Sequence, residues 1–120
     1  MSEFLQAVVS GVVVRGEKRG MALGYPTANI ALVGSALSGV YAARVEVVGE
    51  ANTYTAAVFA DPARGLLEAH LLDFEGDLYG REIAVALIEK IRDAKDFDDD
   101  IALSAAIADD VARTRALFPQ

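Results

Sequence analysis

The sequence has no cysteine, no tryptophan, a single histidine (His70) and only three prolines. Without cysteine there is no disulfide framework and no thiolate zinc site, so an essential metal must be held mainly by oxygen. Oxygen ligands favour Mg²⁺. Lack of cysteine also fits a cytoplasmic location. Basic residues are scarce relative to acidic ones: 11 Lys and Arg stand against 18 Asp and Glu, a net charge of −7. Much of the acid lies between Asp93 and Asp110. A polyanion is repelled overall, so nucleic acid is not an expected partner. A small anion remains possible where cations gather, as Lys18 and Arg19 do. Long apolar runs are missing too. The opening MSEFLQAVVSGVVV starts acidic and is too short and too β-branched for a secretion signal, and no apolar stretch is long enough to span a membrane.

What is present is ample apolar material. Hydrophobic residues make up 53% of a 120-residue chain, enough for one packed domain over residues 1–120. The valine-rich stretch Val8–Val14 reads as a strand, and Gly16–Asn29 as a long structured loop. Ser38–Val48 reads as a strand with Val45 and Val47 on one face and Arg44 and Glu46 on the other. Gly49–Asn52 is turn material and Thr53–Phe59 returns, which predicts a hairpin. After a turn at Asp61–Gly65, Leu66–Phe74 reads as a strand. Glu82–Arg92 is a longer one, with Ile83, Val85, Leu87 and Ile91 on one face. Asp98–Leu117 carries helical spacing: Asp98–Asp100 supply cap candidates and Leu103, Ile107 and Val111 an apolar stripe. Arg113 and Arg115 suit the negative end of its dipole. The expected fold is mainly β: a small closed antiparallel, Greek-key-like barrel of about six strands with a C-terminal helix packed on it.

The segment richest in chemistry is GEKRGMALGYPTAN, Gly16 to Asn29. It lacks the Lys-Ser/Thr ending of a Walker A loop and the spacing of a dinucleotide fingerprint. Gly16, Gly20 and Gly24 let backbone amides approach an anion, and Lys18 and Arg19 add positive charge. Thr27 and Asn29, two apart in an extended segment, point to one side and offer a pair of hard oxygens to Mg²⁺. An ordinary glycine-rich connection ended by Pro-Thr is the alternative.

GVVVRGEKRGMALGYPTANI (Gly11–Ile30) resembles the glycine loop and Pro-Thr-Ala-Asn motif of the riboflavin kinase (flavokinase) domain. The resemblance continues through SGVYAARV, LLEAHLLDFEGDLYGREIAV, IRDAKDF and IADDVARTR, in order, over nearly the whole chain. It implies ATP-dependent phosphorylation of riboflavin to FMN. Thr27 and Asn29 would contact phosphates and metal, and Gly16, Lys18, Arg19, Gly20 and Gly24 would fold over ATP. Leu71, Asp73 and Tyr79 would lie near the nucleotide, with Glu68 as general base and Arg92, Lys95 and Phe97 along the flavin. Implied with these are Mg²⁺, ATP and riboflavin as small-molecule partners, and a monomer.

The chemistry suits Glu68, a carboxylate in an otherwise apolar strand, although a solvated rim glutamate is the plainer alternative. His70, on the same face, reads as a structural hydrogen-bonding residue. Two departures from the family pattern stand out. Phe59–Gly65 is short and lacks the usual Asn-Ile-Gly, and Ala94 stands where an acid is usual, with Asp96 close by. They leave open a weak or inactive flavin- or nucleotide-binding module, or a kinase for a related flavin. The adenylyltransferase domain that commonly precedes this one is not expected within these residues, nor is FMN-to-FAD conversion by this chain alone.

Overall fold

The computed structural model describes residues 7–15, 24–34 and 36–118. Six strands form one antiparallel sheet: β1 (Ala7–Val12), β2 (Ala28–Ala31), β3 (Gly39–Val47), β4 (Thr53–Asp61), β5 (Leu66–Leu71) and β6 (Glu82–Arg92). Helix α1 (Asp100–Leu117) follows. The strand order is β1-β6-β3-β4-β5-β2, and a bridge between Val14 and Asn29 joins the two ends into a nearly closed barrel. The Val14 amide donates to the Asn29 carbonyl at 2.8 Å. Closure needs a small residue here, because a Cβ on Gly11 would sit 3.3 Å from the Ile30 Cβ.

Period-two alternation decides what fills the barrel. Tyr41, Ala43, Val45 and Val47 of β3, Ala56, Val58 and Ala60 of β4, and Leu67, Ala69 and Leu71 of β5 point inward. They meet Ile30, Ile83, Val85 and Leu87 in one core cluster. The intervening residues of β3, β4 and β5, among them Ala42, Ala57, Phe59, Glu68 and His70, face outward, where α1 packs over β3 and β4. The hairpin expected around Gly49–Asn52 forms, with Val45 opposite Tyr54.

Three expectations change. Ala28 and Asn29, read as the end of a loop, begin a strand, Ala28–Ala31, paired with β5. The second is in β6, whose register against β3 shifts between Val40 and Tyr41 and between Ala42 and Ala43, so Ile88 and Ile91 are bulged and Ile91 leaves the face of Ile83, Val85 and Leu87. The bulged end passes so close to β3 that Gly39, at φ +105°, would place a Cβ 2.6 Å from the Arg92 carbonyl oxygen. Third, the stripe Leu103, Ile107 and Val111 is only half-buried; Asp110 and Thr114 are the buried residues of α1. The helix starts two residues late, capped by Asp99, whose carboxylate accepts from the Ala102 amide at 2.7 Å.

Candidate active site

Outward-facing residues of β4 and β5 form the floor of a cavity of about 590 Å³ on the barrel's flank. The segment before β2 (Tyr25 and Thr27) and the segment after β6 (Lys95, Asp96 and Phe97) line two of its walls. Leu103, Ile107 and Asp110 of α1 line a third. The volume lies within the range of about 300–1,000 Å³ usual for small-molecule sites.

Glu68 and His70 reach this cavity because β5 alternates: Leu67, Ala69 and Leu71 occupy the core, which turns the residues between them outward. Glu68 pairs across the sheet with Asn29 on one side and Phe59 on the other. Its carboxylate meets Arg64 at 3.1 Å. Arg64 comes from the short β4–β5 turn and is itself set by Asp61, at 3.4 Å between side chains and 3.3 Å from the Arg64 amide. Arg64 therefore stands beside the carboxylate because the turn returns the chain at once to the strand.

Thr27 Oγ1 donates to Asn29 Oδ1 at 3.4 Å, a long contact that leaves two hard oxygens side by side. Asn29 is buried. His70 Nδ1 lies 2.8 Å from the Pro26 carbonyl oxygen, and its ring meets Tyr25 edge-on at 5.6 Å.

At the opposite end Arg92 grips Asp110 with Nε and Nη2, both at 2.8 Å, and donates Nη1 to the Asp93 carbonyl at 3.2 Å. The Asp110 side chain is 5% exposed, so its charge is matched almost wholly by Arg92. Thr114, the other buried residue of α1, donates to the Asp110 carbonyl at 2.8 Å, one turn back along the helix. Arg92 and Lys95 each place their charge 5.7 Å from the Phe97 ring centre, giving an aromatic and cationic wall.

Thr27, Glu68, Arg92, Lys95 and Phe97 thus share one cavity, with Asn29 packed beside Thr27. Asp96 lines it as well, carrying an acid close to the position where Ala94 has none. Other expected positions lie elsewhere. Gly16, Lys18, Arg19 and Gly20 are outside the described residues, whereas Gly24 sits exposed at φ +91° before Tyr25. Leu71 directs its side chain into the barrel core. Asp73, at φ +58°, pairs with Arg115 at 3.0 and 3.1 Å. That hydrogen bond, and then the guanidinium charge, hold the Asp73 carboxyl below its ordinary value. Tyr79 is exposed, with the Arg15 guanidinium 4.2 Å above its ring.

Sequence reasoning did not single out Arg64 or Asp110. Arg64 lies four residues before Glu68 in a segment read only as a turn. The polarity of Asp110 beside the apolar stripe is a signal only once Arg92 is known to face it.

The barrel keeps its core packed and carries its cavity on the flank, between strands and helix, at a size usual for small-molecule sites. Comparison with known proteins makes the assignment specific. A family model described as riboflavin kinase (flavokinase) matches residues 5–118. The bifunctional riboflavin kinase/FMN adenylyltransferase of Pseudomonas fluorescens is 40% identical over 116 residues, covering 91% of this chain and 37% of that protein. The enzyme of the same description from Escherichia coli K12 is 42% identical over 118 residues, covering 92% and 37%. The chain therefore spans a little over a third of the length of these curated relatives.

Among solved structures, riboflavin kinase from Trypanosoma brucei superposes with TM-score 0.65 at 28% identity, covering 94% of this chain and 80% of that one. A Streptococcus pneumoniae structure described as a macrolide-efflux protein superposes with TM-score 0.76 at 32% identity, covering 90% and 38%. No helix among the described residues is long and apolar enough to cross a membrane. The chain belongs to the flavokinase (riboflavin kinase) family.

Proposed function

We propose that this domain transfers the γ-phosphoryl group of ATP to the ribityl 5′-hydroxyl of riboflavin, giving FMN and ADP, with Glu68 as general base. The observation that carries the reading is the meeting of Thr27, Glu68 and the Arg92–Phe97 wall in one cavity. These residues come from three separate segments, and phosphoryl transfer to an alcohol needs a group of each kind.

The planar isoalloxazine rests against Phe97 and the Arg92 guanidinium, which Asp110 holds still. The ribityl chain then runs along the β4–β5 floor toward Glu68. As the 5′-oxygen forms its bond to the γ-phosphorus, its proton passes to Glu68. The bond from the γ-phosphorus to the bridging oxygen breaks, and ADP leaves with that electron pair. Arg64 keeps the Glu68 carboxylate oriented and supplies positive charge beside the reacting atoms.

Thr27 Oγ1 and Asn29 Oδ1 fit Mg²⁺, which prefers hard oxygen and usually takes only one or two protein ligands beside the substrate's phosphates. No cluster of three or more His, Cys, Asp or Glu that could hold a metal occurs among the described residues, so the donor set suits an ion arriving with its nucleotide. When bound, Mg²⁺ spreads the charge of the phosphates.

Purified protein incubated with riboflavin, ATP and Mg²⁺ should form FMN and ADP one for one, and chelation of the metal should stop it. Glu68→Gln should lower kcat by about 10²–10⁴ with the fold intact. Absence of FMN from the wild-type reaction contradicts the activity; a fully active Glu68→Gln protein contradicts the base.

A further inference from the structure

Pro26 has no amide hydrogen, so it cannot donate to a sheet ladder. Pairing of β2 with β5 accordingly begins beyond it, at Ala28 opposite Ala69. The next residue of β5, His70, faces outward and reaches back over the gap, with Nδ1 2.8 Å from the Pro26 carbonyl oxygen. A carbonyl can only accept, so Nδ1 donates. The neutral ring therefore carries its proton on Nδ1. Tyr25 meets that ring edge-on, with planes at 82°, and fixes the direction of the bond. Thr27 lies between two anchored points: the Pro26 carbonyl held by His70 and the Ala28 pairing with Ala69.

We infer that His70 is a positioning residue of the nucleotide–metal end, clasping Pro26 so that Thr27 and Asn29 present their oxygens together. The inference rests on the nucleotide reading of that end given above. The clasp gives the Pro26 carbonyl a partner ahead of the β2–β5 ladder, which explains a polar ring at a position otherwise suited to any outward-facing residue. Its effect falls first on Mg·nucleotide binding, since the carbonyl it holds belongs to Pro26, the residue directly before Thr27.

Because His70 is the sole histidine, its ¹⁵N resonances need no separation from others. In the neutral form Nδ1 should be the protonated nitrogen, and a proton on Nε2 instead would overturn the clasp without reference to any ligand. Calorimetric titration with Mg·ADP should then show affinity about tenfold weaker in His70→Leu, the scale of one hydrogen bond. His70→Asn, whose amide can donate from near the Nδ1 position, should restore it to within about threefold. The riboflavin KM at saturating ATP should rise by a smaller factor than the Mg·ADP dissociation constant. Unchanged Mg·ADP affinity in folded His70→Leu, or an equal rise in riboflavin KM, would overturn the inference. A wild-type protein that binds no Mg·ADP instead overturns the nucleotide reading, and the tautomer still decides the clasp.

Discussion

Removing the Asp110 carboxylate tests how the helix is tied to the Arg92–Phe97 wall. Asp110 accepts two bonds of 2.8 Å from Arg92, and its side chain is 5% exposed while that of Arg92 is 25% exposed. Stranding one partner of a fully buried pair costs about 3–5 kcal/mol. Water can reach the abandoned Arg92, and Nη1 keeps the Asp93 carbonyl, so roughly 2–3 kcal/mol is expected for Asp110→Ala. With a urea m-value of about 1.5 kcal/mol/M, the midpoint should fall by roughly 1–2 M. Replacing both partners, as Arg92→Met with Asp110→Leu, should recover most of that loss, because an apolar pair of similar volume avoids burying charge. The double variant should still bind riboflavin poorly, as the Arg92 guanidinium is gone from the wall and only Lys95 keeps a charge on Phe97. Equilibrium urea unfolding by circular dichroism, with flavin fluorescence titration, separates the two effects. A midpoint for Asp110→Ala within about 0.3 M of wild type, or a double variant no more stable than either single one, refutes this reasoning.

Gly39→Ala should destabilise by more than about 2 kcal/mol, since it combines positive φ with a Cβ 2.6 Å from the Arg92 carbonyl; thermal unfolding reads it. Asp99→Ala should cost about 1 kcal/mol through loss of the cap on Ala102, whereas Asp99→Ser should cost less. Asp73 should titrate below the ordinary 3.8, and Arg115→Gln should return it toward that value in a side-chain ¹³C titration. Because the folded-state value is depressed, the pair's contribution is present above the unfolded value. It fades as pH falls through the folded one, so wild type and Arg115→Gln should begin to draw together in stability only below 3.8 and converge beneath the depressed folded value.

Much of the barrel was legible because its strands carry their burial in their spelling. Val45 and Val47 alternate with Arg44 and Glu46, and Ile83, Val85 and Leu87 recur at period two. Ala28–Ala31 was not, since four residues after a proline give too little alternation, and three of them are buried in succession. The bulges at Ile88 and Ile91 were hidden because a register shift depends on the partner strand. On the helix, the apolar stripe gave the side that faces the barrel, but the buried anchor is Asp110, whose partner lies on β6. At the site, Glu68 could be singled out from its own strand, since a carboxylate between Leu67 and Ala69 must face outward. Arg64 and the Pro26–His70 bond come from turns and cross-strand neighbours, which only folding brings together.

A crystal structure of the protein with riboflavin and Mg·ADP bound would test the assignment of this cavity most directly. The isoalloxazine should lie against Phe97 and Arg92, with the 5′-hydroxyl within hydrogen-bond reach of Glu68 and the ADP phosphates beside Thr27 and Asn29. Flavin bound away from this flank, or a 5′-hydroxyl out of reach of Glu68 with both ligands bound, would contradict it.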